Sequence, residues 1–333
     1  MASAAVEGPI AESGSPRAVG GTGLREKPQG PSEMRRAAER IRIGTAAALV
    51  MAVLPVRALP LAASGPVAGL YERLALARLV IHGRCVEVDK RAVIEVVQVL
   101  KGQYDGPSLQ VAYRSDNYNR TAGSPRIDFE PGSESIFILK PETDWKDQAK
   151  GEGRFQVAGG VAGKIDLPAE GAPALLDAAR RLIAIQAIRN QDEVWAAQKA
   201  LLGEKNPHLV AAGFEEVLKF RLGDESLVPD LLRHLDGQRP EFRQQAARVI
   251  TQVFDECRRT GKEPASLDLL VRETLAHATA DDSAETRTEA VRALRKLRRA
   301  SLAEALRRIA SHDPSQTVRY EAEVALLELR EEE

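Results

Sequence analysis

Between residues 79 and 167 the hydrophobic positions recur with a period of two, as they do in strands. "LVIHGRCVEV" and "AVIEVVQVLKG" are β-branched runs on either side of the charged turn "DKR", which predicts a hairpin. "SLQVAY" alternates, with Leu109, Val111 and Tyr113 on one face, whereas "ESIFILK" is apolar on both faces, as in a central strand. With "RFQVAGG" and "GKIDLP" the pattern predicts about six short strands, enough for a small barrel or sandwich.

From Pro173 onward the period changes to that of a helix. Two segments, "ESLVPDLLRHLDG" and "PEFRQQAARVITQVFDEC", each place their apolar side chains on one stripe. These stripes are formed by Leu227, Val228, Leu231, Leu232 and Leu235, and by Phe242, Ala246, Val249, Ile250, Val253 and Phe254. The change of period at "DLPAEGAP" predicts two domains, an all-β domain over 75–168 and a helical domain over 173–330.

The helical half repeats itself. "DDSAETRTEAVRALRKL" returns 32 residues later as "DPSQTVRYEAEVALLEL", so that Asp281 corresponds to Asp313 and Arg287 to Arg319. Further upstream, "PHLVAAGFEEVL" and "PEFRQQAARVI" correspond at an offset of 33. The interval between these two pairs of segments is longer, and we interpret 256–266, "ECRRTGKEPAS", as an inserted loop. Helix pairs at such a period are typical of a stacked repeat.

These residues resemble the HEAT-repeat pattern, Asp-x-x-x-x-[Val/Thr]-Arg-x-x-Ala. The resemblance covers about 173–330 and implies a HEAT-type α-solenoid, in which no single repeat buries its apolar face alone. We expect the aspartate to open the second helix of each pair as an N-cap. Arg287 and Arg319 then lie one to two turns into that helix, where they can reach acidic groups of a neighbouring repeat.

The strand ending in "VLKG", the later "SIFILKP" and "GRFQVAGGVAGKIDL" are similar to netrin-like and tissue-inhibitor-like domains of the OB-barrel type. This resemblance covers about 75–168 and implies a small OB-type barrel. The eukaryotic inhibitors chelate a protease zinc through an N-terminal cysteine and are rich in disulfides; this chain has neither feature, so that mechanism is not carried over.

A long loop over 114–133 interrupts the strands. Loops longer than about 12–15 residues are commonly functional or disordered. Its polar cluster surrounds one aromatic side chain, a mixture that suits adaptable contacts with a partner. The candidate partner-binding residues are Asp116, Asn117, Tyr118 and Arg120; the alternative is a solvated loop without a role.

Residues 34–64 have the pattern of a secretory signal peptide. A basic block with four arginines precedes the charge-free run 43–56, "IGTAAALVMAVLPV", and small residues follow it. The run is short for a membrane span of about 20 residues, but an uncleaved anchor stays an alternative. Residues 1–33 are rich in Gly, Pro, Ser and Ala, so we expect a disordered extension, or else a true start at Met34.

Composition narrows the classes of partner. Lys and Arg number 47 against 48 Asp and Glu, and aromatic residues make up 4%, which disfavours nucleic acid. The two cysteines, Cys85 and Cys257, do not form a disulfide scaffold, although a single bridge between domains stays open. The five histidines show no metal-ligand spacing, and no catalytic or cofactor motif stands out.

The sequence therefore predicts an α+β multidomain protein, with a small all-β barrel followed by a HEAT-type α-solenoid. Its expected function is that of an extracytoplasmic, non-enzymatic scaffold or adaptor that binds another protein, with no cofactor. Two alternatives stay open. One is a secreted inhibitor or sensor acting through the netrin-like barrel, and the other is a HEAT-repeat enzyme resembling the bilin lyases.

Overall fold

A computed structural model describes residues 69–89, 91–112, 127–141, 154–263 and 265–330. A short helix, α1 (Leu70–Leu76), precedes six strands: β1 (Leu79–Val88), β2 (Ala92–Lys101), β3 (Ser108–Ala112), β4 (Glu134–Pro141), β5 (Arg154–Val157) and β6 (Lys164–Asp166). The predicted strands are confirmed, and β1 and β2 form the predicted antiparallel hairpin.

Five of the strands close into a barrel in the order β1-β2-β3-β5-β4, because β4 also pairs with β1. All neighbours are antiparallel except β3 and β5, which run parallel. Strand β6 lies outside the ring and pairs with the first half of β4. The strand β4 is therefore central, with partners on both edges, as its continuous apolar sequence predicts.

The two faces of β1 and β4 are buried in different cores. Leu79, Ile81, Phe137 and Leu139 point into the barrel interior. The alternate side chains, Val80, Ile136 and Ile138 among them, pack outward against α1 and the first long helix. This division is what a strand buried on both faces requires.

The "VLKG" motif joins the barrel to α1. The Lys101 ammonium donates to the carbonyl of Leu74 at 2.6 Å and to Gln186 Oε1 at 3.2 Å, so it caps the end of α1. Gly102 follows with φ of +85°, and a Cβ there would lie 2.5 Å from the Arg78 carbonyl oxygen. Only glycine fits this turn without strain.

Nine further helices follow the barrel in the described residues: α2 (Ala172–Gln186), α3 (Gln191–Ala200), α4 (Pro207–Phe220), α5 (Val228–Leu235), α6 (Pro240–Thr260), α7 (Leu267–Ala280), α8 (Ala284–Leu297), α9 (Ala303–His312) and α10 (Gln316–Arg330). From α3 they form four pairs of helices joined by short turns. The second helices α6, α8 and α10 pack side by side. The predicted apolar stripe of α6 is buried along its whole length.

One detail of the helical half differs from the sequence expectation. Helix α6 continues through Thr260 and ends at Gly261, whose φ is +64°. The predicted loop at 256–266 is therefore helical for its first half. The extra length lies mostly in α6, because Cys257 continues the buried stripe beyond Phe254.

The apolar core is continuous at the predicted domain boundary. "DLPAEGAP" is a short turn, and one apolar cluster continues across it from the barrel into the helices. Val80 and Ile138 of the barrel share this cluster with Leu182 of α2 and Leu209 of α4. The change of period thus marks a change of secondary structure and not an interruption of the core.

Candidate functional site

Buried arginine–aspartate pairs connect consecutive repeats in the helical half. Arg243 of α6 donates to both carboxylate oxygens of Asp281, at 2.8 and 3.0 Å. Arg287 of α8 does the same to Asp313, at 2.8 and 3.1 Å. Each pair joins the start of a second helix to the turn of the following helix pair, so the two repeats are fixed in register.

The same arginines also bind the turn of their own repeat. Nη1 of Arg287 donates to the carbonyl of Asp281 at 2.7 Å, and Nη1 of Arg243 to that of Gly237 at 3.2 Å. Arg319 repeats this contact with the Asp313 carbonyl at 2.7 Å. In all three cases the acceptor is six residues earlier, and each arginine therefore stabilises the turn that precedes its helix.

The predicted role of the aspartate in capping is wrong by two residues. Ser283 is the N-cap of α8, and its hydroxyl accepts from the amide of Thr286 at 3.2 Å. Asp281 lies in the turn, where it accepts from the amide of Ser283 at 2.9 Å. Pattern spacing could not separate these roles because Asp and Ser are both favoured N-caps.

The electrostatics of Asp281 reflect these donors. Burial disfavours the carboxylate, but hydrogen bonds from Arg243, from the Ser283 amide and from His277 outweigh burial and lower its pKa to about 2. The Asp281 side chain is 2% exposed and that of Arg243 10%. Asp281 is therefore a permanent carboxylate, occupied by structural contacts and not available as an acid or base near neutral pH.

A second row of ion pairs runs along the same helices. Arg248 of α6 approaches Glu289 of α8 at 3.2 Å, and Arg292 of α8 approaches Glu321 of α10 at 2.6 Å. Arg292 also contacts Glu289 at 3.0 Å, which connects the two pairs. These ion pairs were not predicted from the sequence, although Arg248 and Arg292, like Glu289 and Glu321, occupy corresponding repeat positions.

A polar groove of about 240 Å³ lies where α6, α8 and α10 meet. It is lined by Gln244, Ala284, Glu285, Thr288, Glu289, Arg292, Ser315 and Thr317. The small side chains at the starts of α8 and α10 leave this space open, and the second row of ion pairs forms one of its walls. Such a surface offers hydrogen bonds of both kinds to a bound polypeptide.

A larger cavity, of about 490 Å³, lies beside α1 and α4. Glu215 accepts from the amide of Gly69 with both oxygens at 3.0 Å, and burial raises the pKa of its carboxyl. Burial also raises the pKa of Glu216, which accepts from Gln198. Glu215 thus joins the start of α1 to α4, and Glu216 joins α3 to α4, so both acids have a structural role.

The other sequence candidates are dispersed. Asp116, Asn117, Tyr118 and Arg120 lie outside the described residues, as do the signal-like segment 34–64 and the run 43–56. Cys85 is buried in the barrel core and Cys257 in the helical core, and both are free thiols. Burial raises the pKa of each thiol, so neither is poised as a nucleophile.

The histidines are also separate from one another. His82 contacts Glu134 at 3.0 Å, His234 contacts the Leu202 carbonyl at 2.8 Å, and His277 contacts Asp281. In the described part of the chain, no three acidic, histidine or cysteine side chains come together as a metal would need. None of the described helices has the length and hydropathy needed to span a bilayer.

Comparison with known proteins identifies the repeats. The family model for HEAT repeats matches residues 229–327, which include α6 to α9 and most of α10. No curated protein and no solved structure matches the chain. The region from Pro229 to Leu327 is thus similar to HEAT repeats, and it contains both buried arginine–aspartate pairs and the groove.

Proposed function

We propose that this protein is an exported, non-enzymatic adaptor whose helical half binds another protein. In this proposal the four helix pairs form a HEAT-type solenoid, and the barrel is of the OB type. The closed strand order with one parallel pair supports the barrel type, since OB folds are five-stranded Greek-key barrels. The repeat match and the side-by-side second helices support the solenoid.

The groove between α6, α8 and α10 is the observation on which the proposed function depends. Its walls are ordered by ion pairs that need no partner, so binding there costs little rearrangement. The groove is too polar for an apolar small molecule, whose sites are mostly lined by hydrophobic side chains. A polypeptide with polar side chains and free backbone groups is the ligand that matches it best.

A substitution at Thr317 tests this proposal. Thr317 is exposed at the groove, so its replacement leaves the core intact. The full chain and Thr317→Arg would each capture proteins from the envelope fraction of producing cells. We expect one partner to be enriched, and enrichment to fall about tenfold in the variant. Thr279→Arg, the same change at an exposed position of α7, is the matched control and should capture normally.

Other results would contradict the proposal. Equal capture by the unmodified chain and by Thr317→Arg would exclude the groove. A visible bilin absorbance band on the purified chain would favour the lyase-like alternative. The proposed export is tested separately, by sequencing the N-terminus of the protein from the extracytoplasmic fraction. Cleavage between about residues 63 and 65 is expected, whereas an intact Met1 in the soluble cytoplasm would reject it.

A further inference from the structure

The row of buried arginine–aspartate pairs is incomplete at α10. Arg319 corresponds to Arg243 and Arg287, and its Nη1 makes the same contact with its own turn. Its Nε and Nη2, which in the other two arginines bind a carboxylate, have no hydrogen-bond partner among the described residues. The guanidinium is therefore held by its own turn, and its Nε and Nη2 donors have no carboxylate in the described part of the chain.

The other end of the row shows a different arrangement. At the repeat positions of α4 and of the α5–α6 turn stand Val210 and Gly237, so arginine and acid are both missing. At this position neither member of the pair is present. On α10 the arginine is present without a carboxylate partner among the described residues.

The rest of this face of α10 is apolar where the preceding repeats are polar. Tyr320, Val324 and Leu327 occupy the positions of Thr288, Arg292 and Arg295 in α8. Tyr320 is 62% exposed and Leu327 58%. Exposed apolar side chains grouped on one face are typical of a surface that contacts another protein.

We propose that this face of α10, defined by Arg319, Tyr320, Val324 and Leu327, docks a helical segment of a different protein that presents an aspartate in the turn before a helix. The carboxylate would bind Nε and Nη2 of Arg319, as Asp281 and Asp313 bind their arginines. Apolar side chains of the partner's helix would cover the stripe. The proposal rests on the proposed protein-binding function and specifies a second surface for it.

A second copy of this chain is a poorer occupant. The acids at the corresponding turn positions are Glu204, Asp281 and Asp313, and all three are already bound by arginines of the same chain. A copy could provide its turn aspartate only by breaking one of these bidentate pairs. A foreign segment with a free carboxylate has no such cost.

The first experiment tests whether this face of α10 binds an aspartate in the turn before a helix, with an added repeat of known sequence as the probe. A second copy of residues 299–330 would be joined directly after Arg330, in place of residues 331–333, so that the 32-residue offset is kept and the copied aspartate occupies the turn position that follows Arg319. We expect the melting temperature to rise, and most of the rise to disappear when the copied aspartate is replaced by asparagine. No rise, or an equal rise with asparagine, would overturn the proposal.

Photo-crosslinking then tests the partner. Benzoylphenylalanine would replace Tyr320 in the full chain in producing cells, and the crosslinked peptide would be mapped. We expect a peptide of another protein with an acidic residue before a helix, at a yield that falls about tenfold in Arg319→Gln. Arg319→Lys should retain part of the yield, and Arg272→Gln, a change at an exposed arginine of α7, should retain all of it.

The remaining outcomes count against the proposal. Crosslinks only to the same chain or to a second copy, a yield unaffected by Arg319→Gln, or no crosslink at position 320 would each overturn it. Circular dichroism melting of every variant verifies that folding is unchanged. A benzoylphenylalanine at Thr317 that crosslinks a partner while position 320 does not would keep the groove function and reject this second surface.

Discussion

Arg243 and Asp281 are 38 residues apart in sequence, yet two parallel hydrogen bonds of 2.8 and 3.0 Å join them in the interior of the helical half. A bidentate pair of this kind fixes orientation as well as distance, because the planar guanidinium fits only one approach of the carboxylate. The two residues therefore determine how one repeat is placed against the next.

Asp281→Asn should destabilise the protein strongly. The change keeps the shape of the side chain but removes the buried carboxylate, so that Arg243 keeps only the exposed Asp282 as a counter-charge. Breaking a buried pair costs about 3–5 kcal/mol. Urea unfolding measures the loss. As a control, Asp268→Asn removes a partner of Arg299 on the surface, where the Asp268 side chain is 93% exposed, and should cost less than about 1 kcal/mol.

The same pair makes stability depend on acidity. The pKa of Asp281 is about 2 in the folded protein, and an unfolded aspartate has a pKa of about 3.9. Because the folded pKa is the lower one, the stabilisation is complete above about pH 4 and is lost as the pH falls through 2. Its size is about 2.6 kcal/mol, from about 1.4 kcal/mol per pKa unit.

Unfolding free energies measured between pH 5 and pH 2 would reveal this contribution. The curve of Asp281→Asn should be flatter than that of the unmodified protein in this window, since the titrating group is absent. Parallel curves for the two proteins would show that Asp281 does not titrate as proposed.

Gly102→Ala should destabilise the barrel more than Gly132→Ala. Both glycines have φ near +85°, and the left-handed backbone alone costs about 1–2 kcal/mol for alanine. At Gly132 the new methyl group meets no atom within 4 Å, whereas at Gly102 it would lie 2.5 Å from the Arg78 carbonyl oxygen. Overpacking there adds about 1–3 kcal/mol. Thermal melting of the two variants gives the comparison.

Leu182→Ala tests whether the barrel and the helices share one core. Leu182 of α2 is fully buried against the outer face of β1 and β4. Its truncation to alanine should lower the free energy of unfolding by about 2–5 kcal/mol. Hydrogen exchange followed by mass spectrometry should show faster opening in β4 peptides and in α4 peptides together. Faster exchange in the helices alone, or a separate unfolding step for the barrel, would mean that the two parts are independent.

Much of this architecture is visible in the sequence, for reasons of periodicity. Strand β4 and the stripe of α6 follow from their apolar spacing alone, and the 32-residue offset indicates that Arg287 and Arg319 occupy one structural position. The second row of ion pairs, formed by Glu289 and Glu321 with arginines of the preceding helices, could have been found in the same way, because Glu289 and Glu321 also share an offset of 32. Charged residues on a helix surface are usually exposed and solvated, so the sequence alone does not distinguish an ion pair from separate solvated charges.

The remaining features depend on contacts between distant segments. The spacing of Val80 and Ile138 indicates a buried strand but not that its outer face packs on α2, since periodicity reports burial and not the identity of the neighbour. Likewise, no local pattern indicates that Lys101 caps α1 or that Asp281 lies two residues before the N-cap. Those assignments need the three-dimensional arrangement of turns and helix ends.

The arrangement of the buried pairs also bears on how such a chain can change its length. Each 32-residue unit, such as the one from Asp281 to His312, contributes one carboxylate to the repeat before it and one guanidinium to the repeat after it. Duplicating or deleting a whole unit therefore leaves every interior carboxylate opposite a guanidinium. Removal of a segment that contains only one of these two residues would leave a buried charge without its counterpart. Residues added between the members of a pair are tolerated, because Arg243 and Asp281 still meet across the longer helix α6.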